Sequence, residues 1–415
     1  MHHPEVLLSF FVVFVAAQIG AEIAARLRLP AVVGEIAAGV AVGPSLLGFI
    51  SVAPVLQGKV NHSAAPLLAL AELGAVLLLF SVGLETRLAD LKKVGKIALG
   101  VGVLGLIIPF VLGGLWAHFA GYPGAKAMFI AAAFVATSAG ITARVLSELG
   151  VLGRIEARII LGAAVIDDIL AMLLLGVVTS LQSGQGVSVW GLALVTLQAV
   201  GFVALVALVG TKLLKRGSPA LDAPINPLSP LTLSLAACLG LAAAGAFLGL
   251  APIIGAFLAG MAFAETRQRH QLEKQIQVVM AFLTPFFFVV TGTQVELAAL
   301  ASLGAIGSLL LITALAVAGK LLGGVLAARS LGRPSALVVG WGMVPRGEVG
   351  IIVASLGRGA GVFDNQIYAL IIAMSLLTSI LTPPFLKRQL AGLPKVGPAP
   401  EEESPLRKAQ ETGHD

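Results

Sequence analysis

Apolar residues in this chain run in long unbroken stretches rather than alternating with polar ones at a helix or strand period. A helix that crosses a bilayer needs about 20 mostly apolar residues. That ruler predicts thirteen segments, at 5–25, 30–48, 64–84, 97–119, 126–146, 158–181, 188–211, 230–249, 252–264, 278–293, 303–327, 335–357 and 364–386. The ninth is short. Charged or Pro/Gly-bearing breaks separate them. The first segment has no basic residues ahead of it and no small-residue cleavage site behind it, so it is read as a span and not as a signal peptide.

Composition narrows the class further. Hydrophobic residues make up 58% of the 415 and charged residues only 12%, about half the charge of a water-soluble globule. Soluble enzymes, disordered chains, collagens and disulfide scaffolds are excluded. The single cysteine, Cys238, lies inside an apolar run and offers neither a disulfide nor a thiolate metal site. A net charge of +6 does not point to nucleic acid, because the basic residues sit in short connections. Cytoplasmic loops retain Lys and Arg. Of the 27 basic residues, 22 fall in the odd-numbered connections and the C-terminal tail; the even-numbered connections hold Lys59, Lys126 and Arg358. The N-terminus is therefore expected outside and the C-terminus in the cytoplasm, in a multi-pass protein of the cell (inner) membrane. Lys320 and Arg346 remain as the two cations within spans.

Two patterns recur at an offset of seven segments. Segment two holds Gly34-Glu-Ile-Ala-Ala-Gly39 and segment nine Gly255-Ala-Phe-Leu-Ala-Gly260; segment three ends in Gly83-Leu-Glu-Thr-Arg-Leu-Ala-Asp-Leu91 and segment ten in Gly292-Thr-Gln-Val-Glu-Leu-Ala-Ala-Leu300. Small-residue spacing alone is common in packed membrane helices, but two matches in the same order at one odd offset predict an inverted repeat. The expected architecture is an all-α polytopic membrane protein of thirteen transmembrane helices, with two inverted-topology six-helix repeats and broken crossing helices. The breaks are expected at Ala136-Thr-Ser-Ala-Gly-Ile-Thr142 in segment five and at Gly342-Met-Val-Pro-Arg-Gly-Glu-Val-Gly350 in segment twelve, where Pro345 removes a backbone donor.

Charge inside the apolar spans carries the candidate chemistry. Asp167 and Asp168 are adjacent in segment six, and an ionised carboxylate there is costly unless paired or protonated. Asp167 lies nine residues past Arg158, roughly 13 Å into the hydrocarbon, and Lys320 lies nine residues before Arg329 at the same depth. A salt bridge near the midplane is the expectation. Neighbouring helix positions point about 100° apart, so one aspartate braces Lys320 while the other faces a cavity and is expected to titrate near physiological pH. Oxygens from that carboxylate, from Thr137 or Ser138, from loosened carbonyls and from water suit Na⁺ or Li⁺ in competition with H⁺. Should the cation also break the lysine bridge, Lys320 is expected to give up its own proton. Arg346 and Glu348, with Pro345, are read as structural bracing of the broken segment. Glu22 and Glu35 fall toward the cytoplasmic ends and are expected to snorkel or to meet arginines such as Arg26 and Arg28, and Glu72 is a candidate for an entry funnel. The six histidines show no metal-ligand spacing.

These residues resemble the monovalent cation:proton antiporter-2 family, the Nap/Kef type of sodium/proton exchanger. The likeness covers residues 5–388. It rests on Leu29-Pro-Ala-Val-Val-Gly-Glu-Ile-Ala-Ala-Gly39 with Gly43-Pro44, Leu79-Phe-Ser-Val-Gly-Leu-Glu85, Ala136 to Leu146, the Asp167-Asp168 pair, Gly255 to Gly260, Gly319-Lys320 and Pro345-Arg-Gly-Glu348. The resemblance implies a homodimer with a static scaffold, 1–93 and 230–301, and an ion-translocating core, 94–182 and 302–388, that moves like an elevator. Residues 183–229 would be a linker helix and 389–415 a short cytoplasmic tail. It also implies that Asp168 binds the ion and Asp167 pairs with Lys320, as in electrogenic members. The potassium-efflux branch has Gln at the first aspartate and a cytosolic nucleotide-binding domain; here the first position is Asp167 and the 27 residues after Arg388 are too few for a domain. The expected function is secondary active Na⁺(Li⁺)/H⁺ antiport, electrogenic, with K⁺/H⁺ antiport on the same scaffold as the alternative. No enzyme activity and no cofactor are expected. An intramembrane aspartyl protease would need acids on separate helices and a Gly-x-Gly-Asp motif, and a channel would need a continuous pore in place of lysine-bridged charge.

Overall fold

The structure, a computed structural model, describes residues 4–52, 64–182, 189–210, 212, 226, 228–295 and 302–394. Lys59, Lys215, Arg216, residues 296–300 of the second repeated motif, the tail from Lys395 and the Glu348 side chain lie outside the described residues. Within them the chain is helical and contains no strand. In chain order the α-helices are α1 (Pro4–Arg26), α2 (Ala31–Val42), α3 (Ala64–Leu84), α4 (Leu88–Phe119), α5 (Gly124–Ala133), α6 (Ala139–Glu148), α7 (Ile155–Gln182) and α8 (Val189–Leu205). A π-helical turn, Val206–Gly210, continues α8. The second half contributes α9 (Ser229–Phe247), α10 (Pro252–Phe263), α11 (Arg269–Thr293), α12 (Leu303–Ala327), α13 (Arg333–Gly342), α14 (Gly347–Gly359) and α15 (Asn365–Ala391).

Nine of the described helices are long and apolar enough to cross a bilayer, while α2 and α10 are shorter apolar helices. Each predicted segment falls on one helix or, at segments five and twelve, on an interrupted pair. Several ends differ from the hydropathy limits for a simple reason. Helix α4 begins at Leu88, nine residues ahead of the predicted 97, because the Lys92, Lys93 and Lys96 stretch is helical yet polar. Helix α11 likewise begins at Arg269 in place of 278. In α2 the helix stops at Val42 because Gly43 turns extended (ψ −176°), as the residue before Pro44 is biased to do.

The helices sort into two bundles. In one, α1 packs on α2, α9 on α10, α2 on α11, and α3 on both α10 and α11; in the other, α12 lies along α4, which also holds α5 and α7, while α13 and α15 pack on α12 and α14 packs on α15 and α5. Backbones in the first bundle meet at glycines. A β-carbon on Gly39 of α2 would stand 2.9 Å from the Cα of Gly292 in α11, and one on Gly260 of α10 would stand 2.8 Å from the Cα of Gly83 in α3. Gly34 sits against the Gly20 backbone of α1, and Gly255 against the Leu241 backbone of α9. No side chain fits at these crossings, and close backbone approach of this kind supplies the van der Waals contact that associates helices in lipid. In the second bundle a β-carbon on Gly319 would come 2.9 Å from the Cα of Pro109, and one on Gly323 2.9 Å from the Gly105 nitrogen, so α12 and α4 run almost backbone to backbone.

Candidate functional site

Two interrupted helices cross in the middle of the second bundle. The first break, residues 134–138, separates α5 from α6; the second, residues 343–346, separates α13 from α14. Each has a local cause. Ser138 is a good N-cap, accepting from the Ile141 amide at 3.5 Å, so a new helix starts there. Pro345 has no amide to donate, and Gly347 takes φ +43°, a value that a side chain disfavours. The breaks are tied to each other. The Ser138 amide donates to the Pro345 carbonyl at 2.7 Å, and the Thr142 hydroxyl donates to the Gly342 carbonyl at 2.7 Å. A β-carbon on Gly347 would fall 2.5 Å from Ser138 Oγ, so glycine is the residue that lets the strands of the crossing touch.

Arg346 closes the second break. It is fully buried, and its Nη1 donates to the Val344 carbonyl at 3.1 Å while Nη2 donates to the Ala316 carbonyl of α12 at 2.8 Å. A guanidinium carries donors and no acceptor, so it satisfies carbonyls that an interrupted helix releases. The Gly347 amide is taken by Ser379 Oγ of α15 at 3.3 Å. Thr137, in the first break, is different. It is buried at 3% exposure, and its hydroxyl oxygen has no hydrogen-bond partner among the described residues.

Beside the crossing, Lys320 Nζ donates to both oxygens of Asp167, at 2.9 and 3.0 Å, with both side chains at 0% exposure. Helix α4 packs directly against the amine: a β-carbon on Gly105 would stand 3.7 Å from Lys320 Nζ, an ordinary contact distance. Stripping water from both charges is expensive, and the bidentate contact is what offsets it. Asp168, one position on, is only partly buried and borders a small cavity lined also by Leu79 of α3, Ala139 of α6 and Ile254 and Phe257 of α10. That cavity lies at the seam between the two bundles. The two aspartates thus face different surroundings, one the interior of its own bundle and the other the boundary with its neighbour.

Other charged residues map as follows. Glu22 meets Arg26 at 3.1 Å on an exposed face. Glu35 is buried and its nearest cation is Arg144 of α6, at 3.7 Å, rather than Arg26 or Arg28. Its partner comes from the other bundle, 109 positions along the chain, which no local pattern indicates. Glu72 is exposed on α3 and borders a groove toward Leu239 and Ala246 of α9. At the opposite end of the crossing from Arg144, Lys126 of α5 pairs with Asp364, the N-cap of α15, at 2.8 Å. Partial burial raises the Asp364 carboxyl, but hydrogen bonds from Lys126 and the Ile367 amide outweigh it and hold the group below the usual range.

Comparison with known proteins agrees in sequence and in fold. The transmembrane sodium/hydrogen exchanger family matches residues 10–391. The high-affinity Na⁺/H⁺ antiporter NhaS3 of Synechocystis is 35% identical over 96% of this chain and 93% of its own length. The Na⁺/H⁺-K⁺ antiporter GerN of Bacillus cereus is 33% identical over 92% of this chain and 96% of its own length. Among solved structures, the sodium proton antiporter MjNhaP1 of Methanocaldococcus jannaschii matches with a TM-score of 0.69, covering 96% of this chain and 100% of that one at 17% identity, a likeness of fold alone. The chain therefore belongs to the transmembrane sodium/hydrogen exchanger family, multi-pass carriers for which a cation and protons are the substrates, with no catalytic reaction and no resident cofactor.

Proposed function

We propose that this protein is an electrogenic Na⁺(Li⁺)/H⁺ antiporter whose cation and proton compete for Asp168. The observation that carries this reading is the unequal placement of two adjacent aspartates: Asp167 is saturated by Lys320, and Asp168 borders the cavity at the seam. A carboxylate of this kind holds either a proton or an alkali cation, and hard oxygen donors suit the latter. Thr137, with its unengaged hydroxyl oxygen, and Ser138 lie on the neighbouring break and would complete the oxygen set. Should cation binding draw Asp167 away from Lys320, the lysine would release a second proton, and more than one charge would then cross against each cation.

The same reading gives the larger architecture. Thirteen crossings, with the N-terminus outside and the C-terminus in the cytoplasm of the cell membrane, place the 22 loop and tail cations on one side. The paired glycine contacts, Gly39 with Gly292 and Gly83 with Gly260, exchange equivalent positions of the two repeated motifs, as an in-plane two-fold requires; this supports the inverted repeat. The first bundle would be the scaffold of a homodimer, and the second the moving core. Arg346 and Pro345, with Glu348, would keep the broken helices aligned during that movement.

K⁺/H⁺ antiport on the same scaffold is the second reading, favoured by the likeness to a relative named for both Na⁺ and K⁺. Proteoliposomes with an internal pH dye separate the two. Sodium and lithium gradients are expected to drive proton movement that Asp168→Asn abolishes while the protein stays folded. Proton movement with K⁺ and none with Na⁺ reverses the assignment, and unchanged transport by Asp168→Asn removes the ligand.

A further inference from the structure

Two buried acids stand outside the transport reading; Glu156 is engaged by Arg154 and Ser335, and Glu35 is less fully partnered. Glu35 of α2 is 3% exposed; one carboxylate oxygen stands 3.7 Å from Arg144 Nη2, and the other has no hydrogen-bond partner among the described residues. Arg144 in turn donates from Nε to Glu148 at 2.7 Å, and the second Glu148 oxygen accepts the Ala31 amide, the first of α2, at 3.1 Å. One arginine therefore sits between two acids, while one of those acids caps the positive end of the helix that carries the other. Glu35 belongs to the first bundle; Arg144 and Glu148 stand on α6, which packs on α3 and is hydrogen-bonded to the second bundle through Ser138 to Pro345 and Thr142 to Gly342. Lys387 of α15 adds a contact of the same kind, donating to the Arg28 carbonyl between α1 and α2 at 2.7 Å.

The position of this cluster matters as much as its charges. Helix α6 has ten residues, a rod about 15 Å long. At one end Ser138 is bonded to Pro345 in the helix crossing; at the other Arg144 and Glu148 grip α2.

We propose that Glu35, Arg144 and Glu148 form a second proton-responsive site, a clamp between the two bundles that closes when Glu35 is ionised and opens when it takes up a proton. The ionised carboxylate draws Arg144 toward α2. Protonation removes that attraction, leaves Arg144 to Glu148 alone and frees α6 to shift. The groups facing Glu35 are Arg144, which favours its charge, and Glu148, which opposes it. Glu35 is in this sense a positioning residue: it acts on the ion site through α6 and does not touch the cation. The consequence for transport rests on the antiport reading, but the clamp itself does not.

Hydrogen exchange on the full chain in lipid nanodiscs tests the clamp without any transport. After correction for intrinsic exchange, amides in residues 29–36 and 139–148 are expected to exchange about fivefold faster at pH 5.5 than at pH 8, the scale that weakening one partly buried ion pair allows. Glu35→Gln is expected to exchange fast at both pH values, Glu35→Asp to restore the difference, and Glu22→Gln, on an exposed pair, to leave it unchanged. Wild-type exchange in both segments that does not change with pH overturns the proposal, whether or not the Gln variant folds. So does a difference that survives in Glu35→Gln. In proteoliposomes the same Gln variant is expected to retain exchange but lose the acid limb of its pH profile. Loss of transport by Asp168→Asn together with an unaltered profile for Glu35→Gln would overturn the clamp's coupling to transport and spare the ion site, whereas transport unchanged by Asp168→Asn would overturn the ion site and not the clamp, which the hydrogen-exchange outcomes decide.

Discussion

The two helix breaks have the same backbone irregularity and opposite chemistry. Residues 343–346 enclose a guanidinium that donates to the Val344 carbonyl released there and to the Ala316 carbonyl of α12, so the protein's own cation both answers the break and ties it to α12. Residues 134–138 contain no charge; Ser138 serves as a cap and Thr137 keeps an idle oxygen. Donors fill the first kind of gap permanently. On the proposed antiport reading, acceptors in the second kind of gap would serve a cation that arrives from outside, while the first kind would exclude one. A crossing with arginine in both breaks would repel cations, and one with hydroxyls in both would leave too many carbonyls without donors.

This contrast predicts a graded set of effects. The largest belongs to Lys320→Gln, which strands Asp167 at zero exposure beside the crossing and is expected to cost about 3–5 kcal/mol. Thermal unfolding of the purified protein in detergent reads it, and the double variant Lys320→Gln/Asp167→Asn should recover most of the loss, because no charge is then left alone. If the single variant melts with the parent, the buried pair holds nothing. Arg346→Gln comes next, at about 2–4 kcal/mol for two carbonyls deprived of charged donors. Its signature is stability lost at both saturating and zero Na⁺.

Thr137→Val should do the reverse. Its hydroxyl is unpartnered, so stability changes by less than about 1 kcal/mol, while the Na⁺ concentration for half-maximal exchange rises several-fold at an unchanged maximal rate. A stability loss as large as that of Arg346→Gln would erase the distinction between the breaks. The smallest effect lies at the opposite end of the crossing, where Asp364 is depressed and largely exposed. A depressed carboxyl contributes stability above its unfolded pKa, about 3.9, and that contribution fades as pH falls through the lower folded value. Asp364→Asn is therefore expected to cost only a few tenths of a kcal/mol at pH 7. The difference from wild type should vanish in strong acid, as pH-dependent melting would show.

How far the sequence could be read varies with how local the cause is. Pro345 beside glycine, and Ser138 ahead of a fresh helix, are local causes, so both breaks were visible as motifs. Among the described residues the hydropathy ruler located the α-helices but misjudged the ends of α4 and α11, because it measures apolar length and a helix continues on charged residues. Depth counting brought Asp167 and Lys320 to one level, since rise per residue is fixed within a helix. It had no means of choosing between Asp167 and Asp168, as that depends on which helices stand around α7. Glu35 shows the limit most plainly. Its sequence neighbours Arg26 and Arg28 were the obvious partners, and the fold supplied Arg144 instead.

What the sequence alone determined is a membrane carrier's outline: apolar lengths, the uneven distribution of positive charge among the connections, two interrupted segments and ionisable groups within them and beside them too costly to bury idly. Each follows from the interaction of a residue with lipid, water or its own backbone. Family resemblance had already assigned Asp167 to the lysine, but only the tertiary structure gives the physical ground, placing Asp167 on Lys320 and Asp168 at the seam, and it alone decided that Arg346 fills one break while Thr137 keeps an unpartnered hydroxyl in the other. Those outcomes depend on distances between helices far apart in the chain, set by glycine crossings that admit no side chain, and no single helix contains them.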